Sequence, residues 1–274
     1  MSTDGVPAAR TVDTAHAGGG RLAGRRVLVL GAGTQATDDS DAPPGNGRAI
    51  SVLAAREGAA VACWDRDEHA ATDTAHLVEA EGAPALVIAE DATDPHACAA
   101  AVAAAVEGLG GIDGLVLNVG IGRGSRLRDT TVDDWDATFA VNVRAHFLTC
   151  QAALPQMGEG SAIVFISSVA GLQPGSRIPA YDASKAALGG LCRHVAAEGA
   201  RHGVRANVVA PGLIDTPLGR LATAGRPSRA KAPVPLGRQG DAWEVAEVVT
   251  WLLSDRASYV TGQVIAVDGG LSTL

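Results

Sequence analysis

The sequence predicts a single α/β domain built on one doubly wound parallel sheet of about seven strands with helices on both faces. From Arg25 onward, short β-branched runs alternate with longer Ala-rich stretches of helical character, the rhythm of repeated βαβ units. Most of these runs are nearly continuously apolar, as strands are when helices cover both faces of their sheet. With 274 residues and 47% hydrophobic content, the chain is long enough to cover such a sheet around one core.

The strands fall at Arg26–Leu30, Ala60–Trp64, Ala85–Ala89, Gly114–Leu117, Ala162–Ile166, Arg205–Val209 and Val264–Val267. Helical stretches occupy the gaps, near 46–57, 67–81, 94–108, 132–157, 180–202 and 241–254. Asp67, Asp94 and Asp241 stand where side-chain N-caps belong. Residues 1–24, rich in Ala, Gly and Thr, read as a mobile tail without the compact apolar segment of a signal peptide. The domain therefore spans 25–274. Between Leu213 and Arg238 the rhythm breaks at Pro217, Pro227, Pro233 and Pro235, which predicts an irregular lid over a substrate site.

Composition narrows the function. The formal net charge is −8 and no Lys/Arg run stands out, so neither nucleic acid nor an anionic membrane surface is an expected partner. No window approaches the roughly 18–20 apolar residues of a membrane span. Cys63, Cys98, Cys150 and Cys192 are scattered without CxxC spacing and read as buried thiols in a reducing cytoplasm. The seven histidines show no ligand spacing, so no metal is expected. A small-molecule partner remains.

The first strand runs into Gly31-Ala-Gly33, and Gly45-Asn46-Gly47 opens the next helix. Glycines at such a turn let backbone N–H groups approach a pyrophosphate, which a helix N-terminus also favours. Asp65 ends the second strand about 20 residues beyond Gly45, where a carboxylate can accept hydrogen bonds from a ribose diol. In a chain with 34 glycines the turn alone is weak evidence, and Asp65 alone could be a solvated cap.

Tyr181-Asp-Ala-Ser-Lys185 is more informative. The chain holds only two tyrosines, Tyr181 and Tyr259, and two lysines, Lys185 and Lys231. A chance Tyr-x-x-x-Lys then has odds on the order of one to two per cent. On a helix the pair shares one face, and an ammonium beside a phenol lowers its pKa from about 10 toward working pH. Ser167-Ser168 lies upstream at a strand end, and Asn142 lies within a helical stretch.

Taken in order, these motifs resemble the short-chain dehydrogenase/reductase family over nearly the whole chain after the tail. Ser168, rather than Ser167, has the spacing of the family's active Ser to its Tyr-x-x-x-Lys pair, and Asn142 matches the Asn that completes the tetrad. Asp91 with Ala92 resembles the adenine-contacting segment, and Leu117-Asn118-Val119-Gly120 resembles the Asn-Asn-Ala-Gly motif with one Asn and the Gly retained. Pro211, Gly212, Ile214 and Thr216 lie in a segment like the turn beside the nicotinamide, and Val267-Asp268-Gly269-Gly270 resembles the C-terminal strand signature.

The family usually has Thr-Gly-x-x-x-Gly-x-Gly. Here Leu30 stands for the Thr, and fourteen positions instead of four separate Gly31 from Gly45, an insertion of ten residues, Gln35–Pro44. Asp38, Asp39 and Asp41 within it would repel a pyrophosphate, so the inserted loop is expected to project outward.

The resemblance implies a Rossmann-type fold carrying NAD(H), with NADP less favoured because of Asp65. Gly31, Gly33, Gly45, Asn46, Gly47, Asp65, Asp91, Ala92, Asn118, Gly120, Tyr181, Lys185, Pro211, Gly212, Ile214 and Thr216 would bind the cofactor. Asn142, Ser168, Tyr181 and Lys185 would interconvert a secondary alcohol and a carbonyl. The family also implies a homotetramer or homodimer assembled through the stretches near 132–157 and 180–202. Two other readings keep the fold: a cofactor-sensing or scaffold protein that binds dinucleotide weakly, and an epimerase with no net redox change.

Overall fold

A computed structural model describes residues 20–37, 39, 41–225, 228–229 and 233–273. Its strands are β1 (Arg26–Leu30), β2 (Ala60–Asp65), β3 (Ala85–Ala89), β4 (Gly114–Leu117), β5 (Ala162–Ile166), β6 (Arg205–Pro211), the short β7 (Ile214–Asp215) and β8 (Gly240–Asp241), and β9 (Val264–Val267). The helices are α1 (Asn46–Arg56), α2 (Glu68–Ala80), α3 (Pro95–Leu109), α4 (Arg126–Asp129), α5 (Val132–Phe139), α6 (Ala145–Ala153), α7 (Pro179–Gly199), α8 (Pro217–Ala224) and α9 (Ala242–Leu253).

Seven strands form one parallel sheet in the order β3-β2-β1-β4-β5-β6-β9, and β7 pairs with β8 apart from it. The order reverses between β1 and β4, so the loops after these strands diverge and leave a crevice at their carboxyl ends. Strand periodicity divides the buried side chains between two faces. Val27, Val29, Val61, Cys63, Val116 and Val164 pack under α1 and α9, against Ile50, Leu53, Val245, Val249 and Leu252. Leu28, Leu30, Trp64, Leu115, Leu117 and Phe165 face the layer of α3, α6 and α7, against Val102, Cys150, Leu188 and Cys192. The near-absence of polar residues in these strands thus reflects cover on both sides. Truncating one of these fully buried side chains, such as Phe165 to Ala, should cost about 3–5 kcal/mol.

Asp67, Asp94 and Asp241 cap α2, α3 and α9 as expected, their carboxylates accepting first-turn N–H groups. Cys63, Cys98, Cys150 and Cys192 are all free and buried. No helix of the described residues is long and apolar enough to cross a membrane.

Three expectations need correction. Of the expected tail, residues 1–19 lie outside the described residues, and residues 20–24 make a packed turn. Leu22 is fully buried there, and its N–H donates to Glu57 O at 2.9 Å. A single apolar residue among Ala and Gly carries no periodic signal, so the contact was invisible in the sequence. The stretch 132–157 is likewise not one helix. Between α5 and α6 the chain widens into a π turn, Ala140–Arg144, in which Ala145 N–H reaches back five residues to Ala140 O. Finally, the proline-rich segment 213–238 is not irregular throughout. Pro217 occupies the first turn of α8, where its missing N–H has no intrahelical partner to lose, and Thr216 caps that helix.

Candidate active site

The loops that follow β1, β2, β4, β5 and β6 bring most of the singled-out residues to the carboxyl edge of the sheet. After β1, Gly31 takes φ +80°, and the N–H groups of Gly31 and Ala32 both donate to Trp64 O, at 2.7 and 3.1 Å. A side chain is excluded here, since a Cβ on Gly31 would lie 2.7 Å from Val119 N. Gly47, in the first turn of α1, is tighter: a Cβ would lie 1.9 Å from Gly31 O. The backbones of two loops are therefore in near contact where the turn meets the helix.

Asp65 ends β2 beside this turn. Its Oδ2 accepts from Gly33 N at 3.0 Å and its Oδ1 from Asp67 N at 3.1 Å. Asn118 Nδ2 donates to Gly31 O at 2.7 Å, tying the loop after β4 to the glycine turn. Asp91 Oδ1 accepts from both the N–H and the hydroxyl of Thr93 at 2.9 Å. Those bonds, chiefly the backbone one, hold its carboxyl below the ordinary range, with a further contribution from Arg66. Ala92 next to it is buried.

Asn142 sits inside the π turn, fully buried. Its Oδ1 accepts from Ile121 N at 2.8 Å, while Nδ2 donates to Ile121 O at 2.8 Å and to Ser184 Oγ at 2.9 Å. Ser184 Oγ in turn donates to Tyr181 O at 2.8 Å. One amide thus couples the loop after β4 to the helix that carries Tyr181 and Lys185. The widened turn aims Asn142 at this pair of segments, a use in keeping with the frequent occurrence of π turns at functional sites.

Tyr181 and Lys185 share one face of α7. Lys185 is 4% exposed and its ammonium donates to Ile166 O at 3.0 Å. Burial pushes its pKa down to about 8. Its Nζ lies 5.7 Å from the centre of the Tyr181 ring. Burial pushes the Tyr181 phenol up from its ordinary value, against the opposing pull of a hydrogen bond with Ser168 and the charge of Arg229 and with a further upward push from Asp182. The net lowering expected from Lys185 is therefore not found. Desolvation of the phenolate is the largest influence on the phenol and outweighs the charges around it. Ser168 Oγ also accepts from Ala170 N at 3.2 Å.

After β6, Gly212 N donates to Val267 O at 2.9 Å, and a Cβ on Gly212 would lie 2.6 Å from Asp268 Cβ. Pro211, Gly212, Ile214 and Thr216 line, together with Asn46, Ser168 and Tyr181, a cleft of about 770 Å³. Asp65 and Asp91 lie outside this cleft, along the strand ends on the β2 and β3 side. Gly45 N–H donates to Thr34 Oγ1 at 3.0 Å, which closes the base of the 35–44 segment. Gln35, Ala36, Thr37, Asp39 and Asp41 are exposed, while Asp38 falls outside the described residues. The segment is not free of the fold, however. Asp39 Oδ2 pairs with Arg220 of α8 at 2.6 Å, and Arg220 also pairs with Asp215 at 2.7 Å.

Sequence reasoning missed two contributors. Ser167 Oγ donates to Lys185 O at 2.8 Å and clamps α7 to the end of β5. His146, one turn after Asn142, is fully buried, and its Nε2 lies 3.0 Å from Val119 O. Its helical spacing from Asn142 was the available signal. Burial above all, with a second push from the charge of Lys185, lowers its pKa to about 3, so the ring is neutral.

The edge fits a dinucleotide. Gly31 and Gly47 leave a side-chain-free approach, and Asn46 Oδ1 is buried without a hydrogen-bond partner among the described residues. The Lys185 ammonium has three donors and one carbonyl acceptor among the described residues. These are groups a bound polar ligand would satisfy.

The fold and this arrangement define a dinucleotide-type α/β protein, and comparison with known proteins gives its family. Residues 43–272 match the family described as enoyl-(acyl carrier protein) reductase. The chain is 41% identical over 233 residues to a protein of Xanthobacter autotrophicus named inactive 2-(S)-hydroxypropyl-CoM dehydrogenase 2, covering 82% of this chain and 100% of that one. It is 37% identical over 255 residues to the 3-oxoacyl-[acyl-carrier-protein] reductase of Thermotoga maritima, covering 92% and 99%. A crystal structure of a short chain dehydrogenase from Burkholderia cenocepacia in complex with NADP aligns at TM-score 0.81 and 35% identity, over 92% of this chain and 100% of that one. The chain belongs to the short-chain dehydrogenase/reductase family, oxidoreductases acting on CH–OH groups.

Proposed function

We propose that this protein interconverts a secondary alcohol and a carbonyl using NAD(H), with Tyr181 as the general acid/base. The observation that carries the reading is the convergence of Ser168 and Tyr181 on one cleft, with Lys185 on the same helix face as Tyr181 and the glycine turn at the neighbouring strand end.

In oxidation, Tyr181 Oη takes the proton of the substrate hydroxyl; in reduction it returns that proton to the carbonyl oxygen. Ser168 Oγ, which shares the cleft with Tyr181, orients the same substrate oxygen and stabilises the charge that develops on it. Lys185 contributes a buried positive charge on the Tyr181 face and offers its remaining donors to a ribose. Asn142 holds the loop after β4 and the Tyr181 turn in register, as a positioning residue. A bound nicotinamide supplies the hydride donor or acceptor. Gly31, Gly33, Gly45, Asn46 and Gly47 would hold its pyrophosphate side, Asp65, Asp91, Ala92, Asn118 and Gly120 the nucleoside side and its loop, and Pro211, Gly212, Ile214 and Thr216 the nicotinamide side.

Asp65 supports NAD over NADP, because a carboxylate at the end of β2 accepts ribose hydroxyls and repels a 2′-phosphate. Arg66 weakens that repulsion less than an isolated guanidinium would, since its charge acts on Asp91. Gln35–Pro44 acts in this reading as an insertion joined to α8 through Asp39 rather than as a phosphate cradle. Exposed Trp135 and Phe147, on α5 and α6, support assembly of a dimer or tetramer through that face. Four buried free thiols suit the cytoplasm.

Nicotinamide absorbance across a panel of secondary alcohols and ketones, run with both cofactors, tests the reading. One relative is named inactive, so turnover is the first quantity to measure. Steady NADH formation with at least tenfold higher kcat/KM for NAD than for NADP is expected. Dinucleotide binding by calorimetry with no turnover on any alcohol or ketone would reject it.

A further inference from the structure

The cleft that holds Ser168 and Tyr181 has a one-sided charge. Among its described lining residues, Arg126, Arg177 and Arg229 are the only ionisable side chains besides Tyr181, and no Asp or Glu is present. This occurs in a chain whose formal net charge is −8. Arg126 opens α4 after β4 and Arg177 lies in the loop after β5, and they are joined through the backbone, Arg126 N–H donating to Arg177 O at 2.7 Å. They are also the two non-glycine residues with positive φ among the described residues, +53° and +67°. Such backbone is held in place only where the surroundings impose it.

Neither of these two arginines has a carboxylate within ion-pairing distance among the described residues. Arg220 shows the contrast, since its guanidinium is taken up by Asp39 and Asp215. Arg229 donates to Gly219 O at 2.9 Å and to Thr223 Oγ1 at 2.7 Å, and its charge acts on Tyr181. Like charges facing one cleft repel unless an anion enters it, and each guanidinium is a fork suited to carboxylate, sulfonate or phosphate oxygens.

We propose that the substrate carries an anionic group remote from its reacting carbinol, held by Arg126 and Arg177, with Arg229 completing the cationic wall beside the reacting end. The inference rests on the proposed alcohol–carbonyl chemistry only for the word substrate; the anion site stands on the cleft itself.

The test uses 3-, 4- and 5-oxo carboxylates, the matching oxo sulfonates and phosphates, and the neutral methyl esters of the carboxylates. Reduction by the wild-type protein should favour at least one anion over its ester by about thirtyfold or more in kcat/KM, in line with a charge-assisted pair. Arg126→Gln and Arg177→Gln should each lower kcat/KM for that anion about tenfold through KM and leave the ester unchanged, whereas Arg177→Lys should retain most of the preference.

A second readout needs no turnover: calorimetric titration of the same compounds into the Tyr181→Phe protein loaded with NAD. Anion binding that weakens about tenfold in the Arg→Gln backgrounds supports the site even if no compound is reduced, in which case the redox reading fails alone. Equal or undetectable binding of anion and ester, or an anion-to-ester ratio unmoved by both Arg→Gln changes, overturns the proposal. The three kinds of anion differ in charge and geometry, so their ranking identifies which one the cleft takes.

Discussion

The two ends of the central sheet treat charge in opposite ways. At the amino ends of the strands, Arg25 pairs with Asp255 at 2.6 Å and Arg26 with Asp113 at 2.7 Å, while Arg21, just before β1, pairs with Glu57 at 2.7 Å. Arg205 is the exception there, a buried guanidinium that donates to Ser254 O at 3.0 Å and leaves Nη1 without a partner among the described residues. At the carboxyl ends, Lys185 is buried against one carbonyl, and among the described residues His146 Nδ1 and Asn46 Oδ1 lack partners and the cleft lined by Arg126 and Arg177 holds no carboxylate. One end satisfies most of its polar groups internally and contributes stability. The other keeps groups unsatisfied and available, which costs stability and leaves them for a ligand.

That contrast breaks most visibly at Tyr181. Tyr181→Phe should lower kcat by about a thousandfold, since it removes the proton carrier, while leaving the unfolding midpoint nearly unchanged. A variant that keeps a tenth of the wild-type rate would remove Tyr181 from the role assigned to it.

His146 should set the acid limit of the fold. Its pKa is about 3 in the folded chain and near the ordinary value of 6.5 when unfolded. Between those values the unfolded state binds a proton that the folded state does not, so stability falls as the pH drops through this window. At pH 4 the loss should reach about 3 kcal/mol, and His146→Gln should remove most of that pH dependence in urea melts. A wild-type and variant difference that is flat from pH 7 to 4 would refute the buried neutral imidazole.

Lys185 tests whether the active edge is held at the expense of stability. With a folded pKa near 8 and an ordinary value of 10.5, the unfolded chain holds the extra proton between those limits, so its contribution to stability rises with pH there and is least favourable below 8. Lys185→Met should stabilise the protein at pH 7 by about 2 kcal/mol while abolishing turnover. Destabilisation instead would place Lys185 among the structural residues.

The opposite end should answer differently and by less. Arg26 binds Asp113 through both Nε and Nη2, each at 2.7 Å, but the pair is partly exposed. Asp113→Asn should cost about 1 kcal/mol of stability and leave kcat/KM unchanged. A change in kcat/KM greater than about twofold would mean that the two ends are coupled.

Much of this arrangement is legible in the amino-acid sequence. The apolar runs place the sheet strands to within two residues, because a strand covered on both faces has to be apolar throughout. Asp67, Asp94 and Asp241 announce their helices because a cap acts within three residues of itself. The Tyr181 and Lys185 spacing is local to one helix for the same reason. Asp39 is the counterexample, since acidic residues in the 35–44 segment argue for a solvated loop but one of them finds Arg220, 181 residues away.

What the sequence determined by itself was therefore what short-range periodicity governs, namely the doubly wound class, the strand and helix succession and the caps, while the candidate catalytic set came from ordered motifs that resemble a family. Tertiary structure alone decided where Leu22 packs, that the helix bearing Asn142 opens into a π turn to meet Ile121 and Ser184, and that Arg126 and Arg177 share one wall of the cleft. It also decided the sign of the Tyr181 shift, because desolvation depends on every group packed around the phenol and spacing to Lys185 reports only one of them. Such pairings are set by loop closure and burial across tens of residues, and no local pattern of side chains encodes which distant partner will arrive.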